Sequence, residues 1–366
     1  MKTAIVHDSL TGDDPMRVVR GMVGAYPDAA VHTALHAGGS RAAAASTART
    51  DRAAANRGEG HHLALPLLAP AFSTLRIDAD VTLVSSTGWA HGVRTTGRKI
   101  VYCHSPSRWN SEQVIRSSGR WARLATRARA SRMATWDRAV AQTADLFLVK
   151  TPAMRTEVER AYGIEAQILP PPAGIDAEGP RVPVPGIRPG YVLCVEPLQS
   201  HRNVDFIVDA MRMLPDATLV IAGTGPLRSR FDDFAGRNVI FVGETAEWHL
   251  RWLYANAVVV VGASFDDFNA APVEAAAHGV PFVAPRRGTY LDTVRHGVTG
   301  LLFDVVDDRS IAGALIAALG CRWDANTLRR HAERFGEQQF ITSLRAIVDA
   351  ENAPVQQELP LLSIAS

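Results

Sequence analysis

Short runs of apolar, β-branched residues recur along the chain, separated by stretches in which apolar positions repeat at helical spacing. Within each run the hydrophobicity is nearly continuous, which is typical of parallel strands covered on both faces. The runs cover residues 3–7, 81–85, 99–103, 145–149 and 167–169, then 191–195, 218–222, 239–242, 258–262 and 281–284. This alternation of strands and helices, in two groups, predicts an α/β protein with two Rossmann-like, doubly wound domains.

A proline-rich stretch separates the two groups of strands. It runs from Pro170-Pro171-Pro172 to Gly190 and contains four further prolines. Proline fixes φ and lacks an N–H donor, so this stretch predicts an extended linker. The length of 366 residues also fits two domains. We predict a first domain over residues 1–175, a linker over 176–190 and a second domain over 191–336.

Composition and charge narrow the class of protein. The chain is 47% hydrophobic and 21% charged, as in ordinary soluble proteins, and its net charge of +2 gives no argument for nucleic-acid binding. No apolar stretch approaches the roughly 18 residues of a membrane span, and the start of the chain runs directly into a strand pattern rather than a signal peptide. The three cysteines are an odd number, and Cys103 and Cys194 sit in apolar strand-like runs, which favours small buried thiols there over a disulfide framework. We therefore expect a cytoplasmic protein.

The strongest candidate for chemistry is the segment 264–281, which follows a predicted strand and enters an alanine-rich helix. Asp266 and Glu274 lie in it with seven residues between them. Loop amides and the start of a helix can bind a phosphate, so Glu274 is a candidate for ribose hydroxyls and Asp266 for a sugar hydroxyl. The alternative is structural: Asp266 caps the loop and Glu274 only favours the start of the helix.

This segment resembles the nucleotide-binding signature of retaining GT-B glycosyltransferases of family 4, in which two glutamates flank a Gly-Phe-Gly or Asp-Phe-Gly core. The likeness covers most of the chain and is closest to bacterial mannosyltransferases of surface polysaccharides. It implies two domains facing a cleft, a C-terminal helix near 337–352 that packs back on the first domain, and a GDP-mannose donor without a cofactor. It also implies a set of donor-binding residues: Phe268, Asn269, Ala270, Ala271 and Glu274.

The resemblance implies catalytic roles for His104, Arg202 and Asp266. His104 ends a strand of the first domain, where a family histidine contacts the donor sugar near its anomeric carbon. Arg202 occupies the lysine position of a basic pair that holds the donor diphosphate, and stabilising the charge that develops there is a large catalytic effect. The structural alternatives are a buried structural histidine and an exposed loop arginine.

Two departures from the family pattern favour a second hypothesis. Pro197 stands where the partner arginine of the basic pair is expected, and Asp13-Asp14 replace the glycine-rich loop of the first domain, leaving Arg17 as its one matching donor-binding residue. The chain is therefore either an active retaining hexosyltransferase or a catalytically impaired relative that binds a nucleotide sugar or a partner transferase. A sugar-nucleotide epimerase on the same fold is a third possibility.

A stripe of basic residues predicts a further partner. Arg116, Arg120, Arg123 and Arg127 repeat at helical spacing, which suits docking on anionic lipid headgroups at the inner face of the cell membrane, where lipid-linked acceptors are found. The alternative is a solvated basic face. The histidine and acidic pairs show no metal-ligand spacing, so we expect no bound metal. Because the net charge is small, we also expect no nucleic-acid partner.

Overall fold

A computed structural model describes residues 1–9, 13–35, 72–106, 120–172, 174, 177–232, 234–264 and 269–350. The chain divides into two compact units. The first contains residues 1–148, 164–169 and 337–366, and the second contains residues 149–163 and 170–336. Residues 149–163 and 170–175, predicted in the first domain, thus fall in the second unit, as does the predicted linker 176–190. The helix Glu337–Ala350 falls in the first unit.

The first unit is built on a parallel sheet. Its strands are β1 (Thr3–Ser9), β2 (Ala30–Leu35), β3 (Arg76–Ile77), β4 (Val81–Ser86), β5 (Arg94–Thr95), β6 (Arg98–Cys103), β7 (Leu146–Val149) and β8 (Ala166–Ile168). Six of them form one sheet in the order β2-β1-β4-β6-β7-β8, while β3 and β5 pair separately. Its helices are Asp13–Ala25, Arg120–Ala141 and Glu337–Ala350, with a 3₁₀ turn at Ala90–Gly92.

The core of the first unit forms where the sheet meets its first and last helices. Ile5 of β1 and Leu83 of β4 are fully buried, as is Met22 of the helix Asp13–Ala25. Phe340 and Leu344 of the helix Glu337–Ala350 belong to the same cluster. The strands are apolar on both faces because helices cover the sheet, which is why their sequence pattern is nearly continuous.

The second unit contains a second parallel sheet of six strands. They are β9 (Tyr191–Val195), β10 (Leu219–Ala222), β11 (Val239–Gly243), β12 (Ala257–Val261), β13 (Phe282–Pro285) and β14 (Gly300–Phe303), in the order β11-β10-β9-β12-β13-β14. Its helices are Pro152–Tyr162, Val204–Ala210, Arg228–Asp232, Glu247–Asn256, Ala271–Ala277, Tyr290–Thr293, Asp308–Gly320 and Ala325–Glu333, with 3₁₀ turns at Ser200–Arg202 and Met211–Met213.

Local sequence signals fix the ends of several helices. Thr151 caps the helix Pro152–Tyr162 by accepting a hydrogen bond from the Met154 amide at 3.1 Å, and the helix ends at Gly163, which has a φ of 71°. Asp307 caps the helix Asp308–Gly320 through the Ser310 amide at 2.7 Å. Such caps satisfy amides that would otherwise lack a partner inside the helix.

Each sheet has a point where the strand order reverses. In the first sheet β1 lies between β2 and β4, and in the second β9 lies between β10 and β12. The chain leaves the central strand to one side and returns on the other, so the connections diverge and leave a crevice at the carboxyl ends of the strands. These two switch points are where ligands bind in open α/β sheets.

Membrane-spanning helices and metal clusters are absent from the ranges that the structure describes. None of the helices there is both long and apolar enough to cross a bilayer. The described side chains also include no group of three or more histidines, cysteines and carboxylates placed to hold a metal ion.

Candidate functional site

A buried carboxylate occupies the switch point of the second sheet. Glu196 directly follows β9 and is only 3% exposed. Its Oε2 accepts a hydrogen bond from Arg202 Nη1 at 3.0 Å. Its Oε1 accepts hydrogen bonds from Asn269 Nδ2 at 2.7 Å and Ser264 Oγ at 3.2 Å. Glu196 therefore joins the ends of β9 and β12 to the start of the helix Ala271–Ala277.

Ser264, Asn269 and Tyr290 complete this cluster. The Ser264 and Tyr290 hydroxyls are 2.9 Å apart, and Asn269 Nδ2 lies 3.1 Å from the Tyr290 hydroxyl. The other side of the Asn269 amide, Oδ1, accepts a hydrogen bond from the Ala271 N–H at 2.9 Å. Asn269, predicted to bind the donor, thus contacts the backbone at the start of the helix that carries Glu274.

Arg202 is fixed by the backbone as well as by its ion pair. It ends the 3₁₀ turn Ser200–Arg202 and is followed by Asn203, which has a φ of 55°. Among the described residues, Asn203 is the one non-glycine with a positive φ. Its Nδ2 donates to the Ala263 carbonyl at 2.8 Å, which ties the turn to the end of β12. The guanidinium is therefore held in place, contrary to the alternative of an exposed loop arginine.

The Gly223-Thr224-Gly225 turn packs against the same backbone. A Cβ on Gly223, whose φ is 149°, would lie 2.0 Å from the Glu196 carbonyl oxygen, and one on Gly225 would lie 2.4 Å from the Leu198 carbonyl oxygen. Only glycine permits this approach. The turn after β10 therefore supports the segment between Glu196 and Arg202.

Glu274 lies on the helix Ala271–Ala277 and is 4% exposed. Its Oε2 accepts a hydrogen bond from the Tyr254 hydroxyl at 2.9 Å. Tyr254 stacks on His278, whose Nδ1 donates to the Glu274 carbonyl at 2.8 Å. Burial lowers the pKa of His278, the hydrogen bond to the Glu274 carbonyl opposes this shift, and three positive charges lower the pKa further. Those charges belong to Arg181, Arg251 and Arg329.

The remaining donor-binding predictions fall at the start of this helix or beyond the described residues. The Ala270 carbonyl accepts hydrogen bonds from Val273 N and Glu274 N, and Ala271 is buried at the first helical position. These two alanines therefore have a backbone role here. Asp266 and Phe268 lie outside the described residues.

His104 lies at the carboxyl edge of the first sheet, just after β6, and is 6% exposed. Its Nε2 is 2.8 Å from Ser85 Oγ at the end of β4. The Ser85 carbonyl in turn accepts a hydrogen bond from Nδ1 of His7 on β1 at 2.9 Å. The His7 and His104 rings are 6.4 Å apart. Ser85 thus joins two histidines at the switch point of the first sheet.

Asp8, next to His7, shapes the turn that follows β4. It is 2% exposed, and it accepts hydrogen bonds from the Thr87 hydroxyl at 2.6 Å and the Trp89 amide at 3.2 Å. The Thr87 and Ala90 amides also donate to it. This role was not predictable from local sequence, because Asp8 and its partners are about 80 residues apart.

A Ser–His–Asp arrangement lies behind this turn, but it is structural. His91 Nδ1 is 2.9 Å from Ser86 Oγ, and its Nε2 is 2.9 Å from Asp137 Oδ1. All three residues are at most 3% exposed, so no substrate reaches the serine. Lys99 donates to the His91 carbonyl at 3.1 Å, and burial lowers the pKa of this lysine to about 8 against the opposing effect of Asp145. The network ties the turn to the helix Arg120–Ala141.

The two acids that replace the family's glycine-rich loop begin a helix. Asp13 and Asp14 are the first residues of Asp13–Ala25, where negative charge is favourable at a helix N-terminus. Arg17 lies in the next turn of the same helix and is half-buried. The residues at this position therefore have a helical explanation that needs no phosphate.

Two doubly wound sheets, each with polar side chains at its switch point, define the class of two-domain α/β enzymes that includes the GT-B glycosyltransferases. The Anabaena protein HepE, solved with UDP and glucose, superposes over 96% of this chain and 100% of its own with a TM-score of 0.67, at 16% identity. This likeness confirms the predicted fold. Residues 189–320 match the family described as Glycosyl transferases group 1. This match lies within the second unit and confirms the predicted resemblance to glycosyltransferases.

Curated relatives point to the same group. A GDP-mannose-dependent alpha-mannosyltransferase of Corynebacterium glutamicum is 39% identical over 30% of this chain and 26% of its own length. A lipopolysaccharide core biosynthesis mannosyltransferase of Rhizobium meliloti is 27% identical over 44% of this chain and 51% of its own. The chain thus spans about a quarter to a half of these two relatives. The predicted likeness to bacterial mannosyltransferases is confirmed at this modest identity.

Proposed function

We propose that the protein is a retaining glycosyltransferase that moves a hexose from a nucleoside-diphosphate sugar to a hydroxyl acceptor on a glycan, a lipid-linked glycan or a small molecule. The observation that carries the proposal is the cluster at the switch point of the second sheet. There a part-buried arginine is paired with Glu196 and is followed by a turn that the Asn203 side chain ties to the end of β12, within the range that matches the group 1 glycosyl transferase family.

Arg202 suits the diphosphate of such a donor. A planar guanidinium binds phosphate oxygens in a fixed geometry, and its charge stabilises a diphosphate as negative charge grows on departure. Glu274 suits the nucleoside, because a carboxylate accepts hydrogen bonds from ribose hydroxyls. Asn269 donates a hydrogen bond to Glu196, the partner of Arg202, and is proposed to contact the donor beside that arginine.

GDP-mannose is the proposed donor, since related mannosyltransferases are named as dependent on it. His104 is proposed to donate a hydrogen bond to the sugar and orient the reacting carbon. The diphosphate leaves from the face that the acceptor attacks, so the configuration at the anomeric carbon is retained without a protein nucleophile. The donor is a substrate, and the scheme requires no resident cofactor.

The test uses the purified full chain with GDP-hexoses and UDP-hexoses, with and without glycan and lipid-linked acceptors. Nucleoside diphosphate release, donor affinity and the anomeric configuration of the product are measured separately. We expect acceptor-dependent release with GDP-mannose and an α-linked product. Product of inverted configuration would contradict the retaining mechanism, and lack of binding to any nucleotide sugar would overturn the proposal.

A second candidate function is supported by the donor-phosphate motif. Pro197 cannot supply a second guanidinium, and Arg202 already faces the Glu196 carboxylate. A catalytically impaired relative that binds nucleotide sugars would keep the site and lose turnover. Tight GDP or GDP-mannose binding, with no release over the whole acceptor panel, would favour this candidate.

A further inference from the structure

Glu196 presents an electrostatic problem for the proposed donor site. Its carboxylate is 97% buried at the switch point where a diphosphate would bring further negative charge. A buried charge is costly unless it is paired and its hydrogen-bonding capacity is used. Arg202 supplies the opposite charge to Oε2, while Asn269 and Ser264 satisfy Oε1. Glu196 is therefore held as part of a complete buried network.

The geometry of this network fixes the orientation of Arg202. A guanidinium is rigid and planar, so fixing one nitrogen against a buried carboxylate restricts the direction of the whole group. Arg202 has a side chain that is 22% exposed, compared with 3% for Glu196. The ion pair therefore connects the protein interior to a cation that reaches solvent.

The backbone on both sides of the pair is also constrained. Asn203 adopts a left-handed conformation, which asparagine tolerates better than most non-glycine residues, and its side chain donates a hydrogen bond to the Ala263 carbonyl. Gly223 packs directly against the Glu196 carbonyl. These two contacts fix the backbone next to Glu196 and next to Arg202.

We propose that Glu196 is a positioning residue that holds Arg202 in the direction required to bind the donor diphosphate. This inference rests on the proposed function. Because Pro197 contributes no cation beside Arg202, binding of the diphosphate at this turn depends on how the Arg202 guanidinium is oriented.

A purely electrostatic role of Glu196 would have the opposite effect on nucleotide affinity. The two roles are therefore distinguished by whether removal of Glu196 strengthens or weakens binding. If Glu196 acted only as a negative charge near the diphosphate, its removal would tighten nucleotide binding. If Glu196 positions Arg202, its removal weakens binding of ligands that carry phosphates and leaves the bare nucleoside unaffected.

The experiment is a double-mutant cycle on the full chain, with calorimetric affinities for GDP, UDP, guanosine and uridine. The variants are Glu196→Ala, Glu196→Gln, Arg202→Ala and Glu196→Ala combined with Arg202→Ala. We expect Glu196→Ala to weaken binding of the preferred nucleoside diphosphate by about tenfold, as for the loss of one charge-assisted contact. In the Arg202→Ala background the same change should have almost no further effect.

The isosteric variant and a control complete the design. Glu196→Gln keeps an oxygen that can accept from Arg202, so we expect a smaller loss that also disappears when Arg202 is removed. Glu247→Ala removes a different Glu–Arg pair of the same unit, that with Arg251, and should leave all affinities unchanged. Thermal unfolding of each variant reports on its fold.

Several outcomes would overturn the inference. They are tighter or unchanged diphosphate binding in Glu196→Ala, equal losses for guanosine and GDP, or the same loss with and without Arg202. If Glu196→Ala does not fold, the same cycle is measured with Glu196→Gln and Arg202→Ala. Additive effects of these two substitutions on diphosphate affinity would overturn the inference. Failure of the wild-type chain to bind any nucleoside diphosphate would instead remove the proposed function itself.

Discussion

Tyr254 and Glu274 are joined by a hydrogen bond in the interior of the second unit, with the tyrosine hydroxyl 2.9 Å from Glu274 Oε2. Tyr254 is fully buried and comes from the helix Glu247–Asn256, whereas Glu274 lies on the helix Ala271–Ala277. A carboxylate on the second helix is thus oriented by a hydroxyl on the first. Such support from a neighbouring side chain is what a binding carboxylate requires.

Loss of the Glu274 carboxylate should weaken nucleotide binding. We expect Glu274→Gln to lower the affinity for GDP by about tenfold, because a neutral amide is a weaker acceptor for ribose hydroxyls. The variant keeps an acceptor for the Tyr254 hydroxyl, so the fold is preserved. Tyr254→Phe should lower the affinity less, by about threefold, since it removes only the orienting bond. Calorimetry with GDP measures both, and full affinity in a folded Glu274→Gln variant would exclude the ribose role.

His104 should affect transfer more than donor binding. We expect His104→Ala to lower kcat by about a hundredfold while the affinity for GDP stays within about twofold, because the histidine is proposed to orient the sugar. Ser85→Ala removes the hydroxyl that lies 2.8 Å from His104 Nε2 and should give an intermediate loss in kcat. Steady-state transfer assays and GDP titrations separate the two effects.

A matched serine provides the control for this prediction. Ser73 also sits in the first unit, where its hydroxyl accepts a hydrogen bond from Trp136 Nε1 at 3.0 Å. Ser73→Ala should leave kcat unchanged. Equal turnover of His104→Ala and wild type would show that His104 is structural.

Acidification should destabilise the second unit through His278. Burial, the largest cause, holds its pKa below the ordinary 6.5 of the unfolded chain. Below pH 6.5 the unfolded state therefore takes up a proton that the folded state does not, so the stability present above pH 6.5 is lost as the pH falls through the folded pKa. Urea unfolding between pH 7 and 5 measures this loss.

The contribution of His278 appears as a difference between variants, because carboxylates begin to titrate in the same range. We expect the unfolding free energy of His278→Gln to fall less with pH than that of the wild type. His201→Gln, at an exposed position, should keep the wild-type slope. An unchanged slope in His278→Gln would contradict the prediction.

The buried strands were predictable because burial on both faces leaves a continuous apolar run. Tyr191–Val195 has this pattern and is a strand as predicted. Ala30–Leu35 was not predicted, since it forms the edge of its sheet, where polar residues such as His32 are accommodated. Local sequence thus indicates central strands better than edge strands.

The candidate site was only partly predictable. Arg202 and Glu274 were found through the family resemblance, but Glu196 was missed although it lies between three partners. Those partners are 6, 68 and 73 residues away in the sequence. A single glutamate after a strand gives no local signal of such a network, which exists only when the sheet brings the strand ends together.

The basic stripe leads to a membrane-binding prediction. The helix Arg120–Ala141 includes Arg120, Arg123 and Arg127, while Arg116 lies outside the described residues. Replacing the three helical arginines with glutamine should reduce cosedimentation with vesicles that contain phosphatidylglycerol by about tenfold at low salt. Wild-type binding should weaken as salt is added, because the attraction is screened.

Two comparisons make this experiment decisive. Vesicles of phosphatidylcholine alone should bind neither protein. A variant with Arg155→Gln and Arg160→Gln on the helix Pro152–Tyr162 removes charge elsewhere and should bind like the wild type. If the triple variant sediments as well as the wild type, the stripe is a solvated surface.

The helix Glu337–Ala350 has a consequence for biosynthesis. Phe340, Leu344 and Val348 complete the core of the first unit, whose other strands and helices lie before residue 170. On the ribosome, all strands of the second unit emerge before this helix does. The nascent first unit therefore carries an uncovered apolar surface throughout that interval, and it is the part of the newborn chain that most needs protection by a chaperone.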